Sequence, residues 1–179
     1  MVEIEAKLKV DSLEPVAQKL AQIGAESLGT LIQTDCYFDD SHSSMAKSDK
    51  ALRLRHELKD DKEKNVLAYK GPREAGKFKR RQEIQFGADD AEQVVALLIA
   101  IGFKKAIEIH KRRKLWRIDD CEIALDELPV LGSFVEIEGP CEEKITELQK
   151  KLGLGDLPHI KESYAVLMEL NRKKRKEQA

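Results

Sequence analysis

The sequence predicts an α+β fold in which antiparallel strands form a sheet that can close into a barrel, with helices packed outside. Eight segments alternate apolar and polar residues or read as extended, and most follow one another at hairpin spacing. Helical segments with one apolar stripe lie between them, and such a stripe has to cover an apolar sheet face. The 179 residues suit one domain, with enough length for a core without disulfides or a structural metal.

The first half of the chain begins with residues 2–10, a predicted strand whose apolar side chains occupy every second position. A helix follows from about residue 11, with Pro15 in its first turn and Gly24 as its stop signal. The next predicted strands cover residues 27–38, 51–58, 65–70 and 78–86. A polar loop at 40–50, a charged turn at 59–64 and the pair Gly71-Pro72 separate them.

The second half begins with a helix over about 90–101, placed between Gly87 and Gly102. Residues 103–118 and 121–128 form a predicted strand pair around the turn Asp119-Asp120, and a short strand covers residues 133–138. Two further helices are predicted at about 141–152 and 161–170. We therefore expect one domain over residues 1–170, followed by a basic C-terminal tail over residues 171–179.

Composition excludes several classes of protein. The net charge is −1, with 32 Lys and Arg against 33 Asp and Glu, which argues against a nucleic-acid-binding protein. No window approaches a membrane-spanning length, and residues 1–10 contain acids where a signal peptide would be apolar. The three cysteines form no CxxC pair and fit free thiols in a reducing compartment, so we expect a cytoplasmic protein. The oligomeric state stays open, with a homodimer as one option.

The strands share a charged face opposite their apolar face. Alternation places cations in pairs, such as Arg53 with Arg55, and carboxylates in pairs, such as Glu136 with Glu138. Paired cations suit several oxygens of one polyanion, and paired carboxylates suit a hard cation such as Mg²⁺. A wet sheet face with ordinary surface ion pairs would alternate in the same way. The grouping of charges by sign, and helices able to cover the outside, favour a charged barrel interior.

The opening Glu3-Ile4-Glu5-Ala6-Lys7 resembles the ExExK signature of the CYTH superfamily, the triphosphate tunnel metalloenzymes. Further segments resemble that family's pattern in its order across about residues 2–170. They are Tyr37-Phe38-Asp39, Leu52-Arg53-Leu54-Arg55, Tyr69-Lys70-Gly71-Pro72, Arg81-Gln82-Glu83, Lys111-Arg112-Arg113, Leu125-Asp126, Gly132 to Glu138 and Lys161-Glu162-Ser163-Tyr164. ExExK alone is short, whereas the ordered set is specific.

The resemblance implies an eight-stranded antiparallel tunnel that binds a triphosphate together with Mg²⁺ or Mn²⁺. The implied metal ligands are Glu3, Glu5, Glu136 and Glu138, with Asp126 close to the metal. The implied phosphate-binding residues are Lys7, Arg53, Arg55, Lys70, Arg81, Lys111, Arg113 and Lys161. Lys7, Lys70 and Asp126 are the implied catalytic residues, and Glu83 is a candidate for orienting a cation instead of binding metal.

Three functions compete for this pattern. The motif spacing resembles class IV adenylate cyclases most closely, which implies conversion of ATP to cyclic AMP and pyrophosphate. The second is a triphosphatase acting on tripolyphosphate, thiamine triphosphate or a nucleotide, as the resemblance to thiamine triphosphatase-like proteins implies. The third is a non-catalytic polyanion-binding module, which would lack the metal carboxylates that this sequence retains.

Overall fold

The computed structural model describes residues 2–177, and its strands form one closed antiparallel barrel. Within that range the strands are β1 (Val2–Val10), β2 (Glu26–Asp39), β3 (Ala51–Lys59), β4 (Lys62–Lys70), β5 (Lys79–Ala88), β6 (Lys104–Ile118), β7 (Cys121–Leu128) and β8 (Gly132–Glu138). The helices are α1 (Glu14–Gln22), α2 (Ser44–Lys47), α3 (Ala91–Ala100), α4 (Glu142–Lys151) and α5 (Tyr164–Glu177). Around the barrel the order is β1-β5-β4-β3-β2-β6-β7-β8, and β8 pairs with β1. The predicted eight-stranded α+β barrel is confirmed.

Aspartates form the tight turns between neighbouring strands. Asp60 and Asp61, with φ of 47° and 61°, join β3 to β4, and Asp119, with φ of 50°, joins β6 to β7. Aspartate tolerates the left-handed region, and two successive positive φ angles match the twist of an antiparallel hairpin. The charged turn predicted at 59–64 is therefore shorter, and β4 begins at Lys62.

Helices cover the outside of the barrel, as predicted. The buried cluster beneath α1 and α4 includes Leu8, Leu20, Ile123, Val135, Ile137 and Ile145. On the other side, Leu98 of α3 packs against Phe38 and Leu54. The apolar strand faces therefore point outward towards helices, which leaves the charged faces inside. Within residues 2–177, no helix has the length and apolar character needed to cross a membrane.

One part of the barrel interior is apolar. Ile109 and Phe134 pack there with Tyr164, the first residue of α5. The rings of Phe134 and Tyr164 meet edge to face with centroids 5.2 Å apart. These side chains fill the space beyond the charged interior, so that α5 helps to close the barrel there.

Two helices differ from the prediction. The segment predicted as a polar loop contains α2, whose first N–H groups donate to the carboxylates of Asp39 and Asp40. α5 begins later than predicted because the preceding residues follow the barrel, where the Ile160 N–H donates to the Lys7 carbonyl at 2.8 Å. The same helix continues through residues 171–177, which had been assigned to a tail, and residues 178–179 lie outside the described range.

Candidate active site

The inward faces of the strands line a cavity of about 660 Å³. Eight cationic and seven acidic side chains contribute to its wall, so that the cavity is nearly balanced in charge. The cations are Lys7, Arg53, Arg55, Lys70, Lys79, Arg81, Lys111 and Arg113, and the acids are Glu3, Glu5, Asp35, Glu83, Glu122, Glu136 and Glu138. The structure thus brings together the predicted phosphate-binding and metal-binding side chains, with two exceptions described below.

Ion pairs connect the neighbouring strands β1, β5 and β4 along one side of the cavity. The Lys70 ammonium lies 2.7 Å from a Glu3 oxygen and 3.0 Å from a Glu83 oxygen. Glu5 and Lys79 lie directly opposite each other on β1 and β5. The Lys79 ammonium donates to Glu5 at 2.5 Å, and both side chains are buried. Burial alone would raise the pKa of Glu83, but Lys70 and then Arg53 hold it below its ordinary value. Glu83 therefore contacts cations, as the orienting role proposed for it requires.

Lys7 lies between the charged cavity and the strap before α5, which is the segment 152–163. Its ammonium donates to the Glu162 carbonyl at 3.0 Å, lies 3.3 Å from Glu136 and sits 4.1 Å from the centre of the Tyr164 ring. Burial, followed by repulsion from Lys79, lowers the pKa of Lys7, although Glu136 opposes the shift. The Lys7 ammonium is thus held in a fixed position and has a lowered pKa.

Asp35 holds the cations of β3 and β6 in place. Both of its oxygens accept from the Arg55 guanidinium, at 2.5 and 2.7 Å, in a bidentate arrangement. Arg53 and Lys111 approach the same carboxylate at 3.9 and 3.6 Å. Burial alone would raise the pKa of Asp35, but Arg55, Arg53 and Lys111 together hold it far below its ordinary range. Asp35 is therefore a buried counter-ion within the cavity wall.

Asp126 is likewise a buried counter-ion, and its partners are the cations of β6. It accepts from Arg113 with both oxygens at 2.6 Å, and from the Tyr164 hydroxyl at 2.9 Å. The Lys111 ammonium lies 3.7 Å away, midway between this carboxylate and Asp35. Burial and then Arg113 lower the pKa of Lys111 to about 7, against the attraction of both aspartates. Asp126 is fully buried and lies outside the cavity lining, so its oxygens are not presented to a metal or substrate.

Carboxylates gather on β1, β8 and β7. Glu138 lies directly opposite Glu5 on one side and Glu122 on the other. Like charges directly opposite in a sheet repel each other, so the row is destabilising without a cation. Burial, then Glu3 and Glu5, raise the pKa of Glu138 to about 7.

An all-oxygen donor set of this kind fits Mg²⁺ or Mn²⁺. Glu3, Glu5 and Glu138 belong to this donor set, whereas Glu136 faces cations. Burial alone would raise the pKa of Glu136, but Lys7 and Arg113 hold it well below its ordinary value. Within residues 2–177, no three such side chains already surround a common metal position. Oxygens of Glu3 and Glu5 are instead engaged by the ammonium groups of Lys70 and Lys79.

Two arginines present unused donors to the cavity. The Nε atoms of Arg53 and Arg81 are buried and have no hydrogen-bond partner among the described residues. Both side chains line the cavity and are at least nine-tenths buried, at 8% and 4% exposure. A buried donor without a partner is unfavourable, so each of these Nε atoms could accommodate an acceptor oxygen of a bound ligand.

Lys161 is the second exception. Its side chain is exposed and lies outside the cavity lining, and its ammonium donates to the Gly76 carbonyl at 2.5 Å. The strap before α5 crosses the barrel so that Ser163 and Tyr164, not Lys161, reach the interior. Asp35 and Tyr164 were not identified as site residues from the sequence, because their contacts with Arg55 and with Asp126 are long-range. Alternation does place Lys79 on the charged face with Arg81 and Glu83, but the family resemblance implied no phosphate-binding role for it.

The closed barrel with this charged interior corresponds to the fold and lining expected of a triphosphate tunnel. A model of the CYTH domain matches residues 1–164, which is most of the chain. The chain belongs to the CYTH domain family.

Individual relatives cover nearly the whole chain. A candidate adenylate cyclase of Methanocaldococcus jannaschii is 29% identical over 176 residues, which cover 93% of this chain and 98% of that protein. The adenylate cyclase CyaB of Aeromonas hydrophila is 24% identical over 177 residues, covering 93% and 88%. Among solved structures, HpAC1 of Hippeastrum, a candidate adenylyl cyclase described as having a dominant triphosphatase activity, superposes with a TM-score of 0.72 at 20% identity, covering 93% and 95%.

Proposed function

We propose that the protein binds a triphosphate in the tunnel together with Mg²⁺ or Mn²⁺ and acts as a class IV adenylate cyclase. In this reaction the 3′-hydroxyl oxygen of ATP attacks the α-phosphorus, the bond between that phosphorus and the bridging oxygen of the departing pyrophosphate breaks, and the hydroxyl proton passes to water, which gives cyclic AMP and pyrophosphate. The observation that carries the proposal is a single cavity of about 660 Å³ in which eight cations face a row of carboxylates. The relatives from M. jannaschii and A. hydrophila that carry the name adenylate cyclase support the choice of reaction.

The carboxylates of Glu3, Glu5 and Glu138 are the proposed metal ligands, with Glu136 as the fourth. When bound, the divalent cation would neutralise phosphate charge and polarise the phosphorus–oxygen bond that breaks. Asp126 was expected near the metal, and its bonds to Arg113 and Tyr164 make it a positioning residue in this proposal.

The cationic side chains bind and orient the phosphates. Arg53 and Arg81 offer buried Nε donors that lack acceptors, and these would bind phosphate oxygens directly. Asp35 and Asp126 keep the guanidinium planes of Arg55 and Arg113 fixed, which aligns their remaining N–H groups before substrate arrives. The aligned donors would stabilise negative charge that develops on the departing pyrophosphate.

Lys7 and Lys70 are the proposed catalytic lysines. Both ammonium groups lie inside the cavity next to carboxylates that a metal would draw away, Glu136 for Lys7 and Glu3 for Lys70. Each would then contact phosphate oxygens at the reacting end of the triphosphate. A compact ammonium group supplies charge at one point, which suits a position where the geometry of the phosphorus changes.

Hydrolysis of a triphosphate is the second candidate. Fifteen charged side chains dominate the lining, and a triphosphate alone accounts for the cationic ones. The aromatic lining residues are Tyr37 and Tyr164, and the ring of Tyr164 is already packed against Phe134. A purine therefore has little aromatic surface to stack on, which favours a substrate such as tripolyphosphate. Water would then attack the terminal phosphorus.

Product analysis separates the candidates. ATP and tripolyphosphate are supplied with Mg²⁺ or Mn²⁺, and cyclic AMP, pyrophosphate and orthophosphate are resolved. Cyclic AMP with equimolar pyrophosphate supports the cyclase, whereas orthophosphate released fastest from tripolyphosphate establishes the triphosphatase instead. Binding without any product would favour the non-catalytic polyanion-binding module.

Glu5→Gln and Glu136→Gln test the metal site in the same assay. Each variant should abolish turnover while circular dichroism shows an intact fold, since the glutamine amide is a neutral and much weaker ligand for a hard cation. Near-normal turnover in both variants would refute the proposed metal ligands.

A further inference from the structure

The carboxylates proposed for metal are already bound by cations proposed for phosphate. The Glu3 carboxylate contacts Lys70 at 2.7 Å, and the Glu5 carboxylate contacts Lys79 at 2.5 Å. Glu136 pairs with Arg113 and lies 3.3 Å from Lys7. An ammonium group neutralises much of the charge of the carboxylate that it contacts, so the pair attracts a divalent cation less than a bare carboxylate would and attracts phosphate less than a bare ammonium group would.

A second set of acids does not share this property. Asp35 and Asp126 are 1% and 0% exposed, and each binds an arginine with both carboxylate oxygens. These pairs align Arg55 and Arg113, and neither aspartate is among the proposed metal ligands. We call the pairs of Glu3 with Lys70 and of Glu5 with Lys79 exchangeable, and the pairs of Asp35 with Arg55 and of Asp126 with Arg113 fixed.

We propose that the exchangeable ion pairs lock the empty tunnel, and that triphosphate and divalent cation each release the partner of the other. Phosphate attracts Lys70 and Lys79 away from Glu3 and Glu5, so that the two glutamates become available to the divalent cation. Binding of the cation to the two glutamates in turn releases the two lysines for phosphate. The two ligands then bind with positive coupling that is reciprocal by thermodynamic linkage. This inference rests on the proposed function, because it assigns both ligands to the same cavity.

Mn²⁺ binding in the absence of phosphate should become tighter when either lysine of the exchangeable pairs is removed. Lys79→Met and Lys70→Met remove cations proposed to bind substrate, yet each should tighten Mn²⁺ binding because a glutamate is released. Coupling between two ligands typically amounts to about 5- to 150-fold in affinity, so we expect each variant to tighten binding by at least about fivefold. Electron paramagnetic resonance of Mn²⁺ and titration calorimetry, in buffer free of phosphate, measure the dissociation constant.

Arg55→Met is the matched control. It removes one positive charge from the same cavity, but its partner is Asp35 and not a proposed metal ligand. A general electrostatic effect would tighten Mn²⁺ binding in all three variants equally, which would overturn the inference. Tighter binding confined to the two lysine variants supports it.

The reciprocal experiment uses tripolyphosphate without metal, and it does not depend on the lysine variants folding. Glu5→Gln and Glu3→Gln should tighten tripolyphosphate binding because Lys79 and Lys70 are released. Glu122→Gln removes the same charge from the same cavity, but Glu122 has no ion-pair partner within residues 2–177 and should change little.

The two levels of the proposal fail differently. If the wild-type protein binds Mn²⁺ and tripolyphosphate but Lys79→Met and Glu5→Gln bind them no differently from their control variants, the proposed exchange of ion pairs is refuted. The proposed function is unaffected by that result. Wild-type protein that binds neither ligand overturns the proposed function and the exchange together.

Discussion

Asp35→Asn tests the idea that a buried counter-ion holds the cationic wall of the tunnel together. The Asp35 carboxylate is 1% exposed, accepts from Arg55 at 2.5 and 2.7 Å, and has Arg53 and Lys111 within 4 Å. Asparagine preserves the shape but removes the charge, which leaves the buried cations Arg53 and Lys111 and the partly buried Arg55 facing a neutral amide. Breaking a buried ion pair on one side typically costs about 3–5 kcal/mol of stability. We expect a loss in that range at pH 7, measured by urea denaturation with circular dichroism.

The pH dependence of this loss has a definite sign. Because the folded pKa of Asp35 is depressed, the carboxylate contributes stability above its unfolded pKa of about 4, and this contribution disappears as pH falls towards the folded value. The stability difference between wild type and Asp35→Asn should therefore be fully present at about pH 5 to 6, where Lys111 with its pKa of about 7 is also charged, and shrink progressively below about pH 4.

Glu127→Gln is the matched control for that measurement. Glu127 contacts Arg112 at 3.9 Å on the outside of the barrel, and both side chains are more than half exposed. Such a surface pair is worth about 0–1 kcal/mol. A loss of less than about 1 kcal/mol in Asp35→Asn, similar to that of the control, would refute the counter-ion role because a surface pair explains it equally well.

Three further predictions follow from the site. Tyr164→Phe removes the 2.9 Å hydrogen bond to the charged Asp126 and should lower stability by about 1.5–3 kcal/mol in urea denaturation; an unchanged midpoint would contradict it. Glu138 has a pKa raised to about 7, so protons compete with metal there: Mn²⁺ affinity, measured by titration calorimetry, should rise from pH 6 to 8 in wild type and lose this rise in Glu138→Gln. Arg55→Ala should weaken binding of tripolyphosphate more than that of orthophosphate, because the wall acts on several phosphates at once, and equal losses in titration would argue against a multi-phosphate site.

Local sequence signals predicted the elements that alternate strongly or carry clear stop signals. β1 occupies the predicted residues 2–10, and the turn at Asp119 joins β6 and β7 as expected. Prediction was weaker where tertiary contacts decide the boundary. α5 begins at Tyr164 because the residues before it bond to β1, and α2 forms because carboxylates of Asp39 and Asp40 meet its first N–H groups.

The same division applies to the site. A period of two fixes which side chains share a face, so the motifs correctly placed residues such as Glu3, Arg53 and Lys111 in one cavity. Periodicity says nothing about which acid meets which cation across the barrel. Asp126 and Lys161 were therefore assigned to the cavity, yet the structure places the first under the wall and the second at an exposed position.

The sequence by itself determined the fold class, the charged face of each strand and the family, because alternation and motif order are local properties of the chain. Tertiary structure alone decided the partners: strand register sets Glu138 opposite Glu5, and barrel closure brings Lys79 to Glu5 and Lys70 to Glu3. It also decided that Ile109, Phe134 and Tyr164 fill the barrel beyond the charged cavity. Such contacts join distant residues: the Lys7 ammonium donates to the main-chain carbonyl of Glu162, 155 positions away, and its ion pair with Glu136 depends on the energy of burying the two charges together.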